Sequence, residues 1–178
     1  MQNTTIQYDS AIKLCKDIFL KKMKDYGTAW RNLRPTSLTD QIFIKAQRIK
    51  SIEEKGTQKI VDDIKGEYIG IINYCIIALI QMELENDTRV ELPYEEVETL
   101  YNKYSAQTKK LMEDKNHDYG EAWRDMRLSS LTDLILMKIF RVKQIEDNKG
   151  KTIISEGVDA NYMDMLNYSV FALIKLNE

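Results

Sequence analysis

Apolar residues recur every three to four positions through most of the chain, the period of a helix that buries one face. Ala11, Leu14, Cys15, Ile18, Phe19 and Met23 form the first such stripe. They predict a helix from about Gln7 to Lys24, stopped by Gly27. A second helix is expected to start near Ser37. A third segment, from about Asp62 to Glu85, is apolar on most faces, which marks a helix central to a core. The pattern then returns: Gly120 stops a helix, another starts near Ser130, and a largely apolar one runs from about Glu156 to Leu176.

The recurrence is a duplication of sequence. Asp25–Glu54 aligns without gaps to Asp118–Asp147, with seventeen of thirty positions identical, and Tyr68–Ile80 then aligns to Tyr162–Ile174. Between the copies lies a polar stretch with Pro93, which reads as a linker. The expected architecture is all-α: a six-helix bundle of two tandem three-helix repeats about a pseudo-twofold axis. Repeat 1 occupies residues 1–86, the linker 87–94 and repeat 2 residues 95–178. Ser37-Leu-Thr-Asp40 and Ser130-Leu-Thr-Asp133 have the spacing of a capping box, with serine at the N-cap and an acid three residues on.

Composition narrows the chemistry. The 178 residues carry 26 basic and 28 acidic side chains, a net charge of −2, so any nucleic-acid contact must rest on local patches. With one histidine and two distant cysteines, a Cys/His zinc site cannot be assembled without carboxylates. Cys15 and Cys75 read as free thiols of a reducing compartment. The amino terminus lacks a basic region followed by an apolar one. The apolar stretch Tyr68–Ile80 is short of the ~20 residues of a membrane span. A cytoplasmic protein with no membrane partner is expected.

Three features shared by the copies, or placed oddly in one, are the candidates for chemistry. The first is Trp30, Arg31 and Arg34 with their counterparts Trp123, Arg124 and Arg127. Tryptophan beside guanidinium groups can stack a base and hold phosphate, or it can plug the end of a bundle while the arginines pair with local acids. The second is Lys45-x-x-Arg48 and Lys138-x-x-Arg141, one turn apart on one face. These either reach solvent or point into a polar cavity. The third is the row Glu156, Asp159, Asp164 and Asn167. In a helix continuous from Glu156, Glu156 and Asp164 share a face two turns apart. Asp164 lies in an apolar run, where a carboxylate needs a cation: either Mg²⁺ (or Mn²⁺) with phosphate oxygens, or Lys138 or Arg141. Copy 1 has Lys65 for Asp159 and Gly70 for Asp164. Glu53-Glu54 and Glu146-Asp147 end the second helix of each copy and read as solvated unless that end folds back on the third.

The repeated Asp-Tyr-Gly-x-Ala-Trp-Arg, the Ser-Leu-Thr-Asp segment and the Lys-x-x-Arg helix resemble the nucleotide-modification-associated domain family of bacteria and phages, over nearly the whole chain and twice. Glu156-Gly-Val-Asp159 with Asp164-x-x-Asn167-Tyr168 is similar to the carboxylate helix of MazG-like all-α nucleotide pyrophosphohydrolases. In that family's usual Glu-x-x-Glu positions stand Lys50-x-x-Glu53 and Lys143-x-x-Glu146. The resemblance implies Mg²⁺-dependent cleavage of a (deoxy)nucleoside triphosphate. Glu156, Asp159 and Asp164 would hold the metal, Glu146 and Asn167 would serve the reaction, and Lys138, Arg141, Arg124 and Arg127 would neutralise phosphate. Two alternatives stand beside it: a non-catalytic module for a nucleotide or modified nucleic acid, and a helical scaffold with no small-molecule site. A homodimer of such pseudo-dimers is a further expectation.

Overall fold

The computed structural model describes residues 2–56 and 64–178, and these form six α-helices with no strand among them. In repeat 1 they are α1 (Gln2–Tyr26), α2 (Pro35–Lys55) and α3 (Ile64–Glu83); in repeat 2, α4 (Tyr94–Tyr119), α5 (Leu128–Asp147) and α6 (Val158–Leu176). A short 3-10 turn, Ala29–Asn32 or Ala122–Asp125, joins the first helix of each repeat to the second. The buried stripe of α1 is Tyr8, Ala11, Cys15, Phe19 and Met23, spaced by three or four residues. Gly27 ends the helix at φ +62°, its N–H donating to the Met23 carbonyl at 2.7 Å. A Cβ there would meet only the movable end of the exposed Glu91 side chain, so it is the left-handed backbone that favours glycine at this turn.

The capping box is not formed. Arg34 and Arg127 are the N-cap residues, both in extended backbone and without a side-chain cap. Ser37 and Ser130 already lie inside their helices, their N–H groups donating at 3.0 Å to the Arg34 and Arg127 carbonyls. Pro35, with φ fixed near the helical value, opens α2 two residues earlier than expected. What the Ser-Leu-Thr-Asp segment does supply is a fully buried leucine and threonine in each repeat, Leu38 and Thr39, Leu131 and Thr132.

The helices stack in three layers, each a pair related by the pseudo-twofold. Helices α3 and α6 form the middle, α2 and α5 cover one side, α1 and α4 the other. Helix α3 is long and apolar enough to cross a membrane, yet most of it is inside the bundle, as a middle layer requires.

The layers are tied by a pair of symmetric polar bridges. Asn73 in α3 donates to the Cys15 carbonyl of α1 at 3.1 Å and accepts from the Tyr101 hydroxyl of α4 at 2.8 Å. Asn167 in α6 donates to the Thr108 carbonyl of α4 at 3.2 Å and accepts from the Tyr8 hydroxyl of α1 at 2.7 Å. Each asparagine therefore holds both outer helices, one from each repeat. Buried amides and phenols so paired avoid a desolvation cost of about 1–3 kcal/mol per group.

Candidate functional site

The tryptophan–arginine motifs sit at opposite ends of the bundle and close onto the chain itself. Arg31 donates to the carbonyls of Arg89 and Asp87 at 2.9 and 2.6 Å and to the Gln81 side chain, fastening the linker to the end of α3. Arg124 donates to Gln7 at 2.6 Å, Thr4 at 2.8 Å, Glu178 at 2.7 Å and Glu121 at 3.0 Å. Its guanidinium lies 4.4 Å from the centre of the Trp123 ring, and that ring stacks on Phe171 at 4.2 Å. Trp30 is half-buried against Phe19. Arg31, Arg124 and Trp123 thus have internal partners, the Trp123 ring lying against both Phe171 and the Arg124 guanidinium. Arg34 and Arg127 are exposed at the helix starts.

The lysine–arginine faces lead to two different charge clusters. In repeat 2, Asp164 is 4% exposed and 8%-exposed Lys138 meets its Oδ2 at 2.8 Å. Lys115, reaching across from α4, meets Oδ1 at 2.6 Å. Burial alone would lower the Lys115 pKa, but the hydrogen bond and charge of Asp164 outweigh it and leave the ammonium above its ordinary value. Beside this triad stands Tyr168, half-buried, which feels the charges of Asp164, Lys115, Arg141 and Glu156. Burial and then Asp164 push its phenol upward. Arg141 is exposed and makes no hydrogen bond or ion pair among the described residues.

The carboxylate row does not assemble. Gly157 is the extended N-cap of α6, so Glu156 lies before the helix and the two-turn register with Asp164 is lost. Glu156 and Asp159 are exposed at the start of α6, and among the described residues no three Asp, Glu, His or Cys side chains gather as around a metal. Both oxygens of Asp164 already carry an ammonium. The donor set does not fit Mg²⁺, which would need those lysines displaced and the three acids brought together. Asn167, expected to orient a ligand, has both ends of its amide in the bridge between α1 and α4.

Repeat 1 resolves the same positions differently. Lys45 lies across Gly70, so close that a Cβ there would be 2.8 Å from its Cδ and Cε. Its ammonium reaches Glu67 at 3.6 Å, and Arg48 pairs with the same carboxylate. The Lys45 ammonium also stands 5.8 Å from the Tyr74 ring, the counterpart of Tyr168. The Asp62 counterpart of Glu156 lies outside the described residues.

A third set was not foreseen. Thr39 hydrogen-bonds Glu146 at 3.0 Å and the Tyr162 hydroxyl at 2.8 Å, joining repeat 1 to repeat 2. Thr132 does the same with Tyr68 at 2.8 Å and with Glu53. The second-helix ends do fold back, so these glutamates are half-buried rather than solvated, and burial raises the pKa of each. Glu146 is thus a link in the repeat interface. The threonines, identical in both copies, were the available signal, and the apparent capping box concealed them.

A family model described as nucleotide modification associated domain 1 matches residues 22–82 and 115–176, one region in each repeat. No curated protein and no solved structure matches the chain. The likeness to MazG-like enzymes therefore rests on the motif alone.

Proposed function

From the premise that this chain belongs to the nucleotide modification associated domain 1 family, we propose that it is a non-catalytic nucleotide-binding module whose phosphate site is the cationic cluster of repeat 2. The observation that carries this reading is one buried carboxylate, Asp164, ion-paired to both Lys115 and Lys138, with the Tyr168 phenol beside it feeling the charge of exposed Arg141. Lys138 and Asp164 fix each other. Lys115, its side chain 45% exposed, and Arg141 keep N–H donors for an anion. Arginine meets phosphate oxygens in a two-pronged arrangement, and a lysine beside it adds point charge. Trp30, Arg31, Trp123 and Arg124 have no part in this reading. Nor does repeat 1, where Glu67 takes both Lys45 and Arg48.

The test is a thermal-shift panel of nucleoside mono- and triphosphates, with inorganic phosphate as control and with or without Mg²⁺ or Mn²⁺. Ligand that binds only the folded state raises the melting temperature, by an amount set by RT ln(1 + [L]/Kd). The expected result is a metal-independent rise, lost in Arg141→Ala and Lys115→Ala and kept in Arg48→Ala. Metal-dependent release of pyrophosphate that Asp164→Asn abolishes would overturn this reading in favour of a pyrophosphohydrolase. A flat response throughout would leave a helical scaffold.

A further inference from the structure

The outer face of the α2/α5 layer has no covering element, and it is not a polar surface. Asp40 near the start of α2 pairs with Lys143 near the end of α5 at 3.4 Å, and Phe43 meets the Phe140 ring at 5.9 Å. The two helices therefore run antiparallel. Along their outer ridge Ile44 is 57% exposed, Phe140 51% and Met137 38%. A groove of about 560 Å³ runs beside them, with Leu136, Met137 and Phe140 in its wall. Three large apolar side chains at the middle of one layer are a patch, where scattered single ones would need no explanation. The exposed large apolar residues of α1 and α4, by contrast, stand near the helix ends, at Ile6, Tyr26 and Tyr119.

We infer that this face is where a second copy of the chain docks, forming a four-helix layer from two α2/α5 pairs. The argument for a second copy is the symmetry of charge. The pseudo-twofold places Asp40 with Asp133, Ile44 with Met137, and Lys50 with Lys143. One corner of the face thus carries Asp40 and Lys143, and the other carries Asp133 and Lys50. Each corner holds one acid and one base, with Arg141 a further cation in the groove wall that a docked copy would also cover. A copy laid on the face in either direction along the helices meets opposite charges at both ends, around an apolar centre that matches its own. A partner with a single sign of charge would be repelled at every corner as much as attracted.

Sedimentation equilibrium of the full chain across a concentration series tests this. The expected mass is twice 20.9 kDa, falling to the single-chain value in Phe140→Glu and, independently, in Ile44→Glu. Both side chains are exposed, so helical content and melting cooperativity should be kept by at least one variant. Lys21→Glu, on the exposed side of α1, should leave the mass unchanged. A wild-type chain that stays at 20.9 kDa, with the groove then open to some other occupant, overturns the inference. So does a dimer that survives both glutamate substitutions.

Discussion

The two repeats place the same lysine against carboxylates three residues apart in register, and in repeat 1 the arginine one turn further on pairs with the same acid. Repeat 1 puts the acid on Glu67, whose partners Lys45 and Arg48 keep about a quarter of their side-chain surface in solvent. Repeat 2 puts it on Asp164, in line with Gly70, and buries Asp164 and Lys138 almost fully. All that holds the layers together stays symmetric: the two asparagine bridges and the two tyrosine–threonine–glutamate links. Asymmetry lies in the charged cluster of each repeat and in the tryptophan–arginine turns, where Trp123 stacks on Phe171 and Trp30 meets Phe19. A chain that carries its own twin can let one copy keep the joint closed while the other redistributes its charge, and repeat 2 is the copy in which a lysine from another helix, Lys115 of α4, joins the buried carboxylate.

The comparison breaks most visibly at the acids. Asp164→Ala leaves Lys138 charged and buried beside a second ammonium, and should cost about 3–5 kcal/mol. Glu67→Ala releases cations that solvent already reaches, and should cost about 1 kcal/mol or less. Urea denaturation of the pair checks this, and equal losses would remove the distinction between the clusters. The symmetric parts should behave alike. Asn73→Ala and Asn167→Ala each strand a tyrosine hydroxyl, a carbonyl and their surroundings, for about 2–4 kcal/mol apiece. A clear inequality between them would show that the bridges are not equivalent.

Smaller effects sharpen the contrast. Burial raises the Glu53 and Glu146 pKa in the folded chain above the ordinary glutamate value of 4.5. The folded state therefore binds protons more readily than the unfolded one, and stability falls as pH rises from that value through the folded pKa. Glu53→Gln with Glu146→Gln should flatten that slope and leave the protein more stable near neutral pH, by about 1 kcal/mol. A slope unchanged in the double variant would mean other groups set it. The mildest change is Gly70→Asp, which copies the repeat-2 acid into repeat 1. The atoms nearest the new Cβ are the flexible end of Lys45, its Cδ, Cε and Nζ, so the cost should be about 1 kcal/mol or below. Calorimetric titration should then show a second nucleotide equivalent if the acid's position is what distinguishes the sites.

The fold was legible because its signals are local. Apolar spacing within eighteen residues locates α1, and alignment of the chain with itself supplies the twin, the pseudo-twofold and the middle layer. Lys115 was not legible as a partner of Asp164, since the two are brought together only by the packing of α4 on α6. Thr39 and Thr132 were hidden because serine and aspartate flanking them imitate a helix cap. The place of Glu156 was not legible because the extended backbone of Gly157, which starts α6 after Glu156, has no signal in the carboxylate spacing. The stack beneath Trp123 depends on Phe171, and its counterpart in repeat 1 is Ile77, so duplication could not point to it.

The asparagine crossings have one more consequence. Because Asn73 grips a helix from each half, and Asn167 does likewise, neither half on its own possesses a complete set of partners for its buried amide. Severing the connection between α3 and α4 should yield two fragments that are poorly structured apart and recover a single cooperative melt when mixed, the covalent join serving chiefly to keep them at high mutual concentration.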